Sequence, residues 1–188
     1  FFIFYEMTSI DIYLDELNEK GYTIIPNVLS EEEICEAKQM VYEWQKTIDN
    51  HDIVHNQINP HGIYKYHRVG HTRYAWFLRT KPQIQKIFRT IWEIGDDEPL
   101  IVSYDGSCYM AKDCKKKDKK SWTHTDQAPN KPNRECIQSF VSLTANEART
   151  LVVYEGSHKL HETYFKERNI TSSKDWHMID CDYLRTIQ

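Results

Sequence analysis

The stretch "SWTHTDQAP", residues 121–129, places an imidazole and a carboxylate two positions apart, at His124 and Asp126. Alternate residues of an extended strand lie on the same side of the backbone, so these two side chains can point in one direction. Non-haem iron centres take two imidazoles and one carboxylate on one face of the metal and leave the opposite face open. The stretch therefore predicts a pair of metal ligands, although a plain polar loop has the same composition.

Outward from this stretch, the sequence predicts helices in the first half and strands in the second. Apolar residues at helical spacing predict helices over residues 9–20, 30–48 and 81–95, and Ser30 with Glu33 forms the pattern of a capping box. Runs of β-forming residues predict strands in "YTIIPNVL" (22–29), "PLIVSYDGSCYMA" (99–111), "CIQSFVSLT" (136–144) and "RTLVVYEGSH" (149–158). The expected fold class is mainly β with flanking helices (α+β).

Composition excludes several functional classes. The 188 residues carry 24 basic and 28 acidic side chains, a formal charge of −4, so there is no electrostatic case for nucleic acid or an anionic membrane as partner. No apolar run is long enough to cross a bilayer. The five cysteines show no CxxC spacing and are typical of reduced thiols in a cytoplasmic protein. Oligomeric state and substrate identity are not readable from these features.

Several segments, taken in order, resemble one family. They are "GYTIIPNVLSEEEI" (21–34), "RVGHTRYAWFLRTKPQIQKIFRTIW" (68–92), "LIVSYDGSCYM" (100–110), "WTHTDQ" (122–127), "CIQSFVSLT" (136–144) and "TLVVYEGSHKLH" (150–161). Together they resemble the phytanoyl-CoA dioxygenase family of Fe(II)- and 2-oxoglutarate-dependent oxygenases, above all members found in giant viruses and marine metagenomes. The resemblance covers residues 12–188.

The resemblance implies a fold and a domain organisation. The fold is a double-stranded β-helix (jelly-roll or cupin-like), in which two antiparallel sheets surround an iron pocket and helices support one side. The expectation is a single oxygenase domain over residues 8–188, with residues 1–7 as a non-native or disordered lead. The last strands of the β-helix are expected to be missing, so the fold is expected to be incomplete at the C-terminus.

The same resemblance implies the chemistry of the site. It assigns His124 and Asp126 as Fe(II) ligands and catalytic residues, with 2-oxoglutarate as cosubstrate and O2 as oxidant. The reaction decarboxylates 2-oxoglutarate to succinate and hydroxylates a C–H bond of a small organic substrate. Trp122, Gln138 and Tyr109 are candidates for the cosubstrate pocket, and for each an ordinary core or strand-pairing role is the alternative.

The third iron ligand and the cation for the far carboxylate of 2-oxoglutarate are less well defined. His158 and Arg168 are candidates, because a guanidinium pairs with both oxygens of a carboxylate. The short separation between Asp126 and His158, however, leaves room for only two clear strands. In the family the distal histidine lies on a later strand. The distal ligand is therefore expected beyond residue 188, and His158 is expected to line the pocket mouth or to cap a turn.

Other interpretations remain open. The chain can be a degenerate, non-catalytic β-helix that binds a small molecule or a partner, a reading that the lack of a recognisable distal histidine supports. It can also be a zinc hydrolase of cupin-like shape, since His/Asp sites accept Zn²⁺ as well. Arg73 and Arg79 flank an aromatic cluster at residues 74–77 and are either contacts for an anionic substrate or ordinary surface residues.

Overall fold

The computed structural model describes residues 9–51, 62–102, 106–110, 122–146 and 151–186. The chain divides into two compact units. The first unit comprises Phe1–Ile24, Lys119–Ser142 and Thr150–Gln188, and the second comprises Ile25–Asp118 and Leu143–Arg149. The candidate ligands His124 and Asp126 therefore belong to the first unit.

Helices are the main regular structure of the described residues. They are α1 Ser9–Lys20, α2 Glu31–Gln45, α3 Arg73–Arg79, α4 Pro82–Trp92, α5 His161–Glu167 and α6 Cys181–Thr186, with 3₁₀ turns at Val69–His71 and Ser157–Leu160. The strands are β1 Ile63–Tyr64, β2 Ser107–Cys108, β3 His124–Thr125 and β4 His177–Met178. They form two antiparallel pairs, β1 with β2 and β3 with β4. No helix among these has the length and apolar character needed to span a membrane.

The expected double-stranded β-helix is wrong. The structure is 43% helical and only 5% strand, and the strands described are two short pairs rather than two wrapped sheets. The segments 136–144 and 151–158 contain no strand, and the run at 22–29 is a loop in which Asn27 has a φ of 56°. Of the run at 99–111, only Ser107–Cys108 pairs as a strand, and residues 103–105 and 111 lie outside the described ranges.

The predicted strands did not form because a β-forming pattern alone is not sufficient for a sheet. Such a pattern indicates side chains that suit a half-buried pleated surface, and it produces a sheet only where a partner strand and a covering layer exist. Here several apolar side chains of these runs are exposed, with Val152 at 77% and Ile101 at 96% of their accessible surface, although Leu29 is buried. The local preference is present in the sequence, but within the described residues nothing covers these side chains to form the second sheet.

The three predicted helices are confirmed, and α2 shows why local signals were sufficient. Ser30 accepts a hydrogen bond from the Glu33 backbone N–H (3.2 Å), and the Glu33 carboxylate accepts one from the Ser30 N–H (3.0 Å), so the capping box is complete. Glu33 also pairs with Lys81 at 2.6 Å, directly before α4. The ion pair with Lys81 is the main cause of the lowered pKa of Glu33.

The core of the second unit is aromatic. Met40 of α2, Tyr64 of β1, Val69 and Tyr74 of α3 form a buried cluster. The Trp44 ring meets Tyr64 and Tyr74 edge-on at 5.0 and 5.7 Å between centroids, a favourable arrangement of aromatic quadrupoles. The core of this unit therefore depends on helix α2 packing on α3 rather than on a sheet.

In the first unit, the end of α1 is held by the loop before α5. Gly21 has a φ of +83° and ends the helix, and the Gly156 N–H donates to the Lys20 carbonyl at 2.7 Å. The His158 ring nitrogen Nε2 lies 3.1 Å from the Asn18 carbonyl and donates to it. A Cβ on Gly21 would lie 2.3 Å from Nδ1 of His158, so glycine is required there for two separate reasons.

This arrangement predicts that Gly21→Ala and Gly156→Ala destabilise the protein unequally. Both glycines have positive φ, so alanine costs roughly 1 kcal/mol at each from backbone strain. Only at Gly21 must His158 also move away from Asn18, since nothing lies within 4 Å of a Cβ on Gly156. We expect Gly21→Ala to cost about 1 kcal/mol more in urea unfolding, the typical net value of one hydrogen bond. In a His158→Ala background the two substitutions should cost the same, and a persistent difference would contradict this account.

Candidate metal centre

Strands β3 and β4 position the candidate ligands. His124 lies opposite Met178 and Thr125 opposite His177, and the Ile179 N–H donates to the Thr123 carbonyl at 3.0 Å. Alternate residues face opposite sides of a strand, so His124 shares one face of the pair with Met178. His177 lies on the other face with Thr125 and is therefore not placed to join His124 as a ligand.

The orientation of the His124 ring is fixed by a backbone contact. Its Nδ1 lies 2.7 Å from the carbonyl oxygen of Trp122. A carbonyl oxygen only accepts hydrogen bonds, so Nδ1 carries the proton, and in the neutral ring Nε2 keeps its lone pair. Metal-binding histidines use the same device, in which one ring nitrogen donates to a carbonyl and the other ligates the metal.

The free side of the His124 ring faces a carboxylate. Nε2 of His124 lies 3.5 Å from Oδ2 of Asp126. In the neutral ring with Nδ1 protonated, Nε2 and the ionised carboxylate are both acceptors, an arrangement that a shared cation would stabilise, whereas in the doubly protonated ring Nε2 would donate to Oδ2. Metal–nitrogen and metal–oxygen bonds of about 2.1 Å require two atoms on one ion to lie within roughly 4.2 Å of each other. The observed separation meets this requirement, so the two residues fit a shared metal ion.

A short loop returns the chain to the carboxylate. The Gln127 side chain bonds to the backbone of this loop three times: it donates to the carbonyls of Lys131 (2.6 Å) and Asn133 (2.8 Å) and accepts from the Glu135 N–H (3.2 Å). The loop closed in this way leads to Gln138, whose amide donates to Oδ2 of Asp126 at 2.9 Å. Gln138 is therefore in direct contact with a candidate ligand.

Two tryptophans flank the His124 imidazole. The centroid of Trp122 lies 4.6 Å and that of Trp176 lies 5.6 Å from the imidazole centroid, and both indole side chains are partly exposed. Trp122 was predicted from the sequence, whereas Trp176 was not. Its place beside His124 depends on the register of β3 with β4, for which the sequence carries no signal.

The candidates His158 and Arg168, also in the first unit, contact other residues than His124 and Asp126. His158 binds the end of α1, consistent with the turn-capping role considered for it. The Arg168 guanidinium pairs with Asp180 at 2.9 Å and lies over the Tyr164 and Tyr183 rings at 4.4 and 4.7 Å. Arg168 would therefore have to leave Asp180 to bind 2-oxoglutarate.

The remaining candidates lie in the second unit. The Tyr109 ring is 5.5 Å from His51, and the Tyr109 backbone N–H donates to the Gly62 carbonyl at 2.8 Å. Arg79 donates to the Gly70 carbonyl at 2.7 Å and lies over the Trp76 ring at 5.4 Å. Tyr109 and Arg79 thus contact other residues of the second unit, as structural residues do.

A third candidate ligand is not found beside His124 and Asp126 in the part of the chain that the structure describes. Within this part, no three side chains of His, Cys, Asp or Glu lie close enough to hold a metal ion together. Nδ1 of His161 and Nε2 of His177 are buried without a hydrogen-bond partner, and both rings contact Phe165. Among the described residues, His124 and Asp126 therefore come together as a pair of candidate ligands without a third.

Comparisons of the chain with family models, with curated proteins and with solved structures found no match.

The Arg168–Asp180 pair predicts a specific sensitivity to acid. Hydrogen bonds from the Tyr183 backbone N–H and from the Arg168 guanidinium lower the pKa of Asp180. Its contribution to stability is fully present above about pH 5, where an ordinary aspartate is ionised, and is lost as the pH falls through the lowered pKa. The stability difference between the parent and Asp180→Asn, measured by urea unfolding, should therefore shrink from about pH 5 to about pH 2.

Asp182→Asn is the matched control for this measurement. Asp182 lies in α6, which begins directly after Asp180, and pairs with Arg185, but both side chains are largely exposed, and such surface pairs contribute little. We expect Asp182→Asn to follow the parent at every pH. A parent–Asp180→Asn difference that does not change with pH would show that the pair does not stabilise the folded state as described.

Proposed function

We propose that this protein is an Fe(II)- and 2-oxoglutarate-dependent dioxygenase that hydroxylates a small organic substrate, with iron held by His124 and Asp126. One observation carries the proposal: Nε2 of His124 and Oδ2 of Asp126 lie 3.5 Å apart while Nδ1 donates to the Trp122 carbonyl. An imidazole and a carboxylate on one side of a metal are two thirds of the ligand set of non-haem iron oxygenases. The resemblance of the surrounding segments to the phytanoyl-CoA dioxygenase family supports the cosubstrate.

The proposal does not require a jelly-roll, because the contacts that position the two ligands are local. The Trp122 carbonyl orients the imidazole from two residues away, and the Gln138 amide reaches Asp126 across one short loop. Strand β4 adds Trp176 and Met178 to the same face. These contacts to the pair come from residues 122–138 and from the segment 176–178 that is paired with them.

Each residue of this face has a definable role. His124 would bind the metal through Nε2, and Asp126 would bind it through a carboxylate oxygen while supplying the negative charge that a divalent cation requires. The indoles of Trp122 and Trp176 limit the access of water to the imidazole. When bound, iron with 2-oxoglutarate and O2 supplies the oxidising chemistry. A third ligand and a free cosubstrate arginine are not identified among the residues that the structure describes.

Substitution of the two ligands tests the proposal directly. His124→Ala and Asp126→Ala should each weaken anaerobic Fe(II) binding by more than about 100-fold, since loss of outer-shell partners alone costs 10- to 100-fold. Both should also abolish the release of succinate from 2-oxoglutarate, a reaction that can be followed without knowing the substrate. The readouts are calorimetric titration of Fe(II) and chromatographic detection of succinate.

His158→Ala is the matched control, because it removes another candidate imidazole of the same unit. His158 contacts the Asn18 carbonyl instead of the metal-binding pair, so its loss should leave iron affinity and succinate release unchanged. Retention of iron affinity in Asp126→Ala would contradict the proposal. A folded parent protein with no iron affinity would favour a non-catalytic binding module.

A further inference from the structure

We infer that Gln138 is a positioning residue, which holds the Asp126 carboxylate in the orientation that lets it share a metal ion with His124. The inference rests on the proposed function. Its basis is the hydrogen bond from Nε2 of Gln138 to Oδ2 of Asp126 at 2.9 Å. The same oxygen is the one that lies 3.5 Å from Nε2 of His124. Gln138 thus binds the very oxygen that faces the imidazole.

A carboxylate in this place needs such a restraint. The Asp126 side chain is 39% exposed, and it follows the last residue of a strand of only two residues. A carboxylate oxygen accepts more than one hydrogen bond or metal bond, so an amide N–H on one side of Oδ2 leaves a further lone pair for a cation. The donor therefore restricts rotation of the carboxylate and does not occupy the position that a metal needs.

The chemical type of the donor matters as well. A neutral amide orients the carboxylate and leaves its charge uncompensated, whereas a lysine or arginine in the same place would compete with the cation. Hydrogen bonds from outer residues to ligating carboxylates are a regular part of metal sites and strengthen metal binding. A glutamine at position 138 meets both requirements.

Contacts of the loop 127–135 place Gln138 beside Asp126. Gln127 fixes the loop 127–135 with three hydrogen bonds, and Lys131 in that loop pairs with Asp175 at 3.0 Å, directly before Trp176. The loop is thereby held against the segment that leads into β4. Gln138 follows three residues after the loop, so its position relative to Asp126 is determined by these contacts.

Gln138→Met tests the inference, because methionine keeps the length of the side chain and removes the donor. The matched control is Gln39→Met, since the Gln39 amide also donates to a carboxylate, that of Glu43 at 3.0 Å on the exposed side of α2. The probe is Co(II), followed by calorimetric titration and by its visible absorption, with thermal unfolding measured in parallel. Gln138→Met should weaken Co(II) binding 10- to 100-fold and alter the Co(II) spectrum, with an unfolding temperature equal to that of Gln39→Met.

Three results would overturn the inference, and they are distinguishable. Equal Co(II) affinity in Gln138→Met and Gln39→Met, alongside a large loss in His124→Ala, removes the role of Gln138 and leaves the proposed function intact. A loss of affinity accompanied by a lower unfolding temperature in Gln138→Met assigns the residue a merely structural role. Co(II) affinity unchanged in His124→Ala removes the metal site itself, and the role of Gln138 with it.

Discussion

The hydrogen bond between Nδ1 of His124 and the carbonyl of Trp122 fixes the orientation of the candidate ligand. In the neutral ring it places the proton on Nδ1 and leaves the lone pair on Nε2, 3.5 Å from Oδ2 of Asp126. In the other neutral tautomer, and in the doubly protonated ring, Nε2 donates to the carboxylate and the two side chains satisfy each other with no cation. The proposed metal site therefore requires the neutral ring with its proton on Nδ1.

Around this contact, the first unit is organised to hold two short segments together. The Gln127 side chain closes the loop 127–135, and Lys131 joins that loop to Asp175 before β4. Strand β4 then brings Trp176 to the imidazole, and the end of the loop brings Gln138 to the carboxylate. The candidate site therefore depends on side-chain bonds to the backbone, because a β-pair of two residues supplies few ladder bonds of its own.

The sequence predicted the features that local residues determine. It did not predict those that depend on contacts with residues distant in the chain. The capping box at Ser30 and Glu33 and the apolar periodicity of α4 are encoded within one helix, and both helices formed as predicted. The convergence of His124 and Asp126 follows from their spacing alone. The jelly-roll failed because Val152 and its neighbours have β-forming side chains but no covering sheet among the described residues. Trp176 and the contact of Gln138 with Asp126 were not predictable, because they depend on the strand register and on the loop closed by Gln127.

The most direct measurement of the central claim is the tautomer of His124, observed by long-range ¹⁵N–¹H correlation NMR on histidine-labelled protein, with the resonances assigned through His124→Gln. The account predicts that the neutral ring is protonated at Nδ1 and unprotonated at Nε2, and that the Nε2 resonance shifts when Zn(II), a diamagnetic substitute for Fe(II), is added. A neutral ring protonated at Nε2, or an Nε2 resonance that Zn(II) leaves unchanged, would contradict it.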